Sequence, residues 1–146
     1  MPEVFINSIG TFLPNNAIDN EEMEDFLGRI NGKESRIKKR ILDQSGIKLR
    51  YYALDRKQQS THSNAQMASL AANAAPGRSA IVPEDVQLIS VGTTQGDLPV
   101  PGFASMVHGE LATSPCELAS FQSVCASGMM AIKAGFCQIK AREKDN

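Results

Sequence analysis

Two histidines, three cysteines and no CxxC pair leave the 146-residue sequence without the ligand spacing of a zinc site. It also has no block of a single charge. Fifteen Lys and Arg stand against sixteen Asp and Glu, a formal net charge of -1. That balance argues against nucleic acid or a membrane surface and for a small-molecule or protein substrate. The apolar runs fall far short of the ~20 residues that span a bilayer. The Met-Pro-Glu-Val start carries neither a basic stretch nor the apolar run of a secretory signal. Three cysteines cannot all pair within the chain, so reduced thiols and a cytoplasmic setting are expected. What is present is 42% hydrophobic content, enough for one globular unit that buries about two-thirds of its unfolded surface.

Strand-like and helix-like segments alternate. Val4 to Phe12 is apolar and β-prone and ends at the Gly10-Thr-Phe-Leu-Pro14 turn, which predicts a first strand. Asp19-Asn-Glu-Glu22 opens a helix, with Met23, Phe26, Leu27 and Ile30 at helical spacing. A second helix is expected over Ser35 to Gln44, stopped by Gly46 as a left-handed cap, before a strand from Ile47 to Leu54. Ser63 and Gln66 form a capping box ahead of an Ala-rich helix reaching Ala75 and ended by Pro76-Gly77. The rest reads as a strand Val86 to Thr94, a helix Phe103 to Leu111, a strand Glu117 to Val124 and a helix from Ala126 onward. Such alternation predicts a layered α/β fold with a buried parallel or mixed sheet. No repeat or linker divides the chain, so one domain over residues 1–146 is expected.

The segment Ser123-Val-Cys-Ala-Ser-Gly-Met-Met130 places Cys125 where a strand passes directly into a helix. Unpaired N–H groups at a helix start carry positive potential and favour a thiolate, the form that attacks a thioester. The small residues Ala126, Ser127 and Gly128 allow substrate and backbone to approach closely. A buried structural cysteine is the competing reading from spacing alone.

Ile9-Gly-Thr-Phe-Leu-Pro14, Asn20, Ser45-Gly-Ile-Lys-Leu-Arg50, Val91-Gly-Thr-Thr94 and Ser123-Val-Cys-Ala-Ser-Gly128 together resemble the N-terminal half of the β-ketoacyl-acyl-carrier-protein synthase III family. The resemblance implies a thiolase-like layered fold, here its N-terminal βαβαβα half, with a mixed sheet and a buried nucleophile helix. It also implies that Cys125 accepts an acyl group as a thioester before a malonyl-type extender attacks. The string Val124-Cys-Ala-Ser-Gly-Met129 is similar to the nucleophile loop of biosynthetic thiolases as well, and the upstream Gly10 to Pro14 turn and Ser45-Gly-Ile47 favour synthase III. No bound cofactor is implied. The substrates expected are an acyl-CoA or an acyl-carrier-protein phosphopantetheine thioester.

Departures from the family pattern bear on that substrate. Where many members hold a Trp and an Arg that clasp adenine, this sequence has Arg40 and Gln44, which removes a stacking platform and points to carrier-bound donors. Arg50 follows the Gly-Ile pair, as either a structural ion pair or a carrier contact. Arg36, Lys38, Lys39 and Arg40 offer a basic face to an acidic carrier, or decorate the surface. The Gly96-Asp-Leu-Pro-Val-Pro-Gly102 loop corresponds to one that caps the acyl pocket of a dimer partner, and Val100 in it leaves room for a longer or branched acyl chain. His62, His108, Cys116 and Cys137 are read as structural or surface residues.

In the resembling family a second half supplies a histidine, an asparagine and an oxyanion N–H. The resemblance therefore implies a chain truncated before its closing strand and that half, working as a homodimer or with a complementing half. An independent thiol enzyme and a non-catalytic carrier-binding module are the alternatives.

Overall fold

The computed structural model describes residues 2–75, 81–111 and 113–145, arranged in two compact units. The first comprises Met1–Phe12 with Asn64–Asn146, and the second Leu13–Ser63.

The first unit is built on two parallel strands, β3 (Leu88–Gly92) and β4 (Glu117–Phe121), in register from Leu88 opposite Glu117 to Gly92 opposite Phe121. Parallel neighbours need a crossover, and α4 (Phe103–Leu111), at the expected bounds, lies between them in sequence. Side chains alternate across a strand, so the two faces take different partners. Ile89 joins Ala65, Phe103 and Val107 in a buried apolar cluster shared with α3 (Asn64–Asn73), with Val91 and Leu118 packed against it. Ser90, on the other face, donates from Oγ to the Ala131 carbonyl of α5 (Ser127–Ala141) at 2.9 Å. The result is a layered arrangement with helices on both sides of a parallel pair. Burial of a side chain such as Val107, 2% exposed, stabilises such a core by about 1.5–3 kcal/mol.

The expected strand over Val4 to Phe12 is not formed: the segment joins no ladder among the described residues. Phe5, Ile6 and Ile9 are 71–74% exposed. β-prone residues favour extended backbone, but a ladder needs a neighbouring strand to pair. Gly10 instead lies against the end of α3, where a Cβ would meet the Ala75 nitrogen at 2.6 Å. The expected Pro76-Gly77 stop lies outside the described residues.

The second unit holds an antiparallel pair, β1 (Ile18–Asp19) with β2 (Leu49–Arg50), and two short helices, α1 (Met23–Leu27) and α2 (Lys38–Ser45). The sheet elements are thus one parallel and one antiparallel pair, each within its own unit. Asp19 Oδ1 accepts the N–H groups of Glu21 and Glu22, both at 2.9 Å, and these bonds above all hold its carboxyl below the usual range. α1 stops before Ile30 because Gly28 turns to φ +84°, leaving Ile30 83% exposed. Gly46 is the left-handed cap the sequence predicts, at φ +68° with its N–H on the Leu42 carbonyl. The long strand expected from Ile47 to Leu54 shortens to two residues because β1 offers only two partners.

Candidate nucleophile site

Because β3 and β4 run parallel, the segments leaving them, residues 93–102 and 122–126, emerge at the same edge of the ladder, the carboxyl edge where α/β folds build ligand sites. Cys125 sits in the second segment. It occupies the middle of a 3-10 turn, Val124–Ala126, between the end of β4 and the start of α5, and it is exposed. The structural cysteine that competed in the sequence is therefore not buried. Cys137 is also exposed on α5, while Cys116 is half-buried against the apolar cluster.

Two close contacts hold this turn against a strain. Val124 takes φ +50°, a region that a β-branched residue rarely enters and that costs roughly 1–3 kcal/mol. Gly92, the last residue of β3, passes so close to α5 that an added Cβ would overlap the Ser127 carbonyl and stand 2.6 Å from the Gly128 nitrogen. Ser127 is 3% exposed, and its Oγ accepts the Ser123 N–H at 2.9 Å while lying 2.7 Å from the Val124 carbonyl and 3.0 Å from the Thr93 carbonyl. The N-cap of α5 is Ala126, which makes no side-chain cap hydrogen bond.

The first segment is pinned by a residue whose role sequence reasoning missed. Asp97 accepts the N–H groups of Asn64 at 2.7 Å and Ala65 at 2.8 Å, and so caps α3 from 33 residues away. The sequence assigned that helix start to the local Ser63 and Gln66 pair. A single acid inside a Gly- and Pro-rich loop was the available signal. Ser120 of β4 does the same for α4, accepting the Ala104 N–H at 2.8 Å.

Val100, in the loop before Pro101, is 79% exposed. Arg40, Gln44 and Arg50 belong to the second unit. Arg40 and Gln44 are both exposed and four residues apart on α2, hence on one side of it. Arg50 is engaged within its own unit, donating to the Asp19 carbonyl at 3.1 Å and to Asn20 Oδ1. His62 Nδ1 lies 3.0 Å from Thr61 Oγ1, and His108 Nε2 lies 3.2 Å from the Ser114 carbonyl. Among the described residues no group of three or more His, Cys, Asp or Glu side chains could hold a metal ion. No described helix is long and apolar enough to cross a membrane.

Cys125 is thus an exposed thiol in a strand-to-helix turn on the carboxyl edge of a parallel pair. The solved structures place the fold among the condensing enzymes. A tetronic acid condensing enzyme matches with a TM-score of 0.75 at 25% identity, over 91% of this chain and 40% of that one. The 3-oxoacyl-[acyl-carrier-protein] synthase III of Aquifex aeolicus VF5 matches with a TM-score of 0.74 at 21% identity, over 94% of this chain and 41% of that one. No family model matches the sequence. Among curated proteins, the β-ketoacyl-[acyl-carrier-protein] synthase III of Staphylococcus aureus strain Newman is 37% identical over 128 residues, which are 87% of this chain and 36% of the relative. The counterpart from strain JH1 is 36% identical over the same length. The chain is thus a relative of the β-ketoacyl-acyl-carrier-protein synthase III enzymes over most of its length, and it spans about a third of theirs.

Proposed function

We propose that this chain carries the acyl-accepting part of a decarboxylative condensing enzyme of fatty-acid or polyketide synthesis, with Cys125 as the nucleophile. The observation that supports it most is the position of Cys125, exposed in the turn between β4 and α5 of a thiolase-type fold. In this reading the Cys125 thiolate attacks the carbonyl of an acyl-CoA or acyl-carrier-protein thioester. The tetrahedral intermediate collapses by expelling the donor thiolate, which takes up the proton that Cys125 released. A malonyl-type extender then loses carbon dioxide, and its carbanion attacks the acyl-cysteine, forming the carbon-carbon bond and returning the thiolate.

The groups that activate the extender are assigned to a complementing half, or to a homodimer partner, packed against the exposed row of α5. Met129, Ile132 and Phe136 in that row are 68%, 58% and 46% exposed, more apolar surface than one helix face usually leaves uncovered. Arg40 and Gln44 are proposed to meet the donor's phosphate or carrier, and Val100 to leave space for a long or branched acyl chain. The setting proposed is the cytoplasm, where Cys125 stays reduced.

Intact-mass analysis of the chain after incubation with a panel of acyl-CoA and acyl-carrier thioesters tests the reading. One acyl adduct is expected with wild type and none with Cys125→Ala. Condensation product from residues 1–146 alone, or thioester turnover without an adduct, would contradict it.

A further inference from the structure

Val124 is held in a conformation that its branched side chain disfavours, at φ +50°, one residue before the nucleophile. Something must over-determine it. The Ser127 hydroxyl is the group in place to do so: it is buried, it takes the Ser123 N–H on one side of Val124, and it shares its single proton between the Val124 carbonyl and the carbonyl of Thr93, the residue after β3. One hydroxyl therefore ties the 122–123 peptide, through its N–H, and the 124–125 peptide, through its carbonyl, to the Thr93 carbonyl that follows β3. Cys125, the next residue, is left facing outward with Gly92 beneath the turn's helical end.

We infer that Ser127 is the positioning residue of the Cys125 turn: it locks Val124 in the left-handed region and thereby sets the direction and the reactivity of the Cys125 thiol. The inference rests on reading Cys125 as the acyl acceptor and deepens it. Ser127 touches no substrate and acts through the backbone of residues 123–124. Removing its hydroxyl takes away the acceptor of the Ser123 N–H and frees Val124 to relax to negative φ, which redirects Cys125.

The test uses iodoacetamide alkylation of Cys125 in the 146-residue chain, followed by peptide mass mapping, with exposed Cys137 of α5 as internal control. Ser127→Ala is expected to slow alkylation of Cys125 about tenfold, the effect of losing one buried hydrogen-bonding group, with Cys137 unchanged. In a Val124→Gly background, where glycine accepts positive φ without strain, adding Ser127→Ala is expected to change the Cys125 rate less than about threefold. This second comparison stands even where the single Ser127→Ala variant does not fold. Equal loss at Cys125 and Cys137, no loss at Cys125, or a tenfold loss that persists with Val124→Gly would each overturn the inference. Alkylation needs no acyl donor. A wild-type chain that shows the Ser127 effect but forms no acyl adduct would sink the reading of Cys125 as acyl acceptor and leave the positioning role standing.

Discussion

The two units are held together by different physics. In Met1–Phe12 with Asn64–Asn146 the order comes from an apolar cluster and from backbone packed so closely that Gly92 admits no side chain. In Leu13–Ser63 the described residues bury little beyond Pro14, Ile18 and Glu24, and polar bonds carry the arrangement. Glu24, 7% exposed, accepts the Ser35 N–H at 2.8 Å and Lys38 Nζ at 3.2 Å. Arg56 reaches Glu22 at 2.8 Å and lies over the Phe26 ring. Meanwhile Ile37, Ile41, Ile47 and Leu49 stay half or more exposed. A packed ladder holds Cys125 in one geometry, while an ion-paired unit remains responsive to pH and salt.

That contrast can be broken first in the apolar unit. Phe103→Ala is expected to cost about 3–5 kcal/mol in urea unfolding, because it empties the centre of the cluster. Gly92→Ala comes next, at about 1–3 kcal/mol, from overpacking against the start of α5. It should also disturb acyl-adduct formation at Cys125, which Phe103→Ala should spare while the protein stays folded. Asp97→Ala should cost about 1 kcal/mol through the lost cap on α3, read as a lower unfolding midpoint.

The polar unit should yield to acid. The Ser35 N–H, with Lys38, holds the Glu24 carboxyl below its ordinary value of 4.5. A carboxylate whose folded value is depressed stabilises the fold above its unfolded value and loses that contribution as pH falls through the folded one. Both tyrosines, Tyr51 and Tyr52, lie in this unit, so tyrosine fluorescence reports on it alone. Acidification below pH 4.5 is expected to change that signal, and Glu24→Gln should remove the share due to Glu24 while leaving that of Asp19. The smallest effect belongs to Arg56→Ala, under about 1 kcal/mol and shrinking with salt, because its ion pair with Glu22 is exposed.

The sequence was most legible where local chemistry decides the outcome. The α4 bounds, the Gly46 cap and the passage from β4 into α5 follow from periodicity, from glycine's freedom at positive φ and from small residues around Cys125. It was least legible where distant groups decide. Residues 4–12 carry strand-forming side chains and still join no ladder, because pairing depends on a neighbour that local composition does not specify. Asp97 caps a helix that begins 33 residues earlier, a relation set by the crossover and not by any motif. In the sequence Ser127 is only a small neighbour of Cys125, and its place beneath the turn shows three polar contacts. For Arg50 the sequence leaves open a structural ion pair or a carrier contact, and the guanidinium donates to the Asp19 carbonyl and to Asn20 Oδ1, neither of them an ion pair.

The central claim is that, of three thiols, Cys125 takes the acyl group. Its most direct test is peptide mapping of the chain after reaction with a labelled acyl thioester. The label is expected on the peptide bearing Cys125 and absent from those bearing Cys116 and Cys137. Label on exposed Cys137 to an equal degree, or an adduct that survives Cys125→Ala, would contradict it.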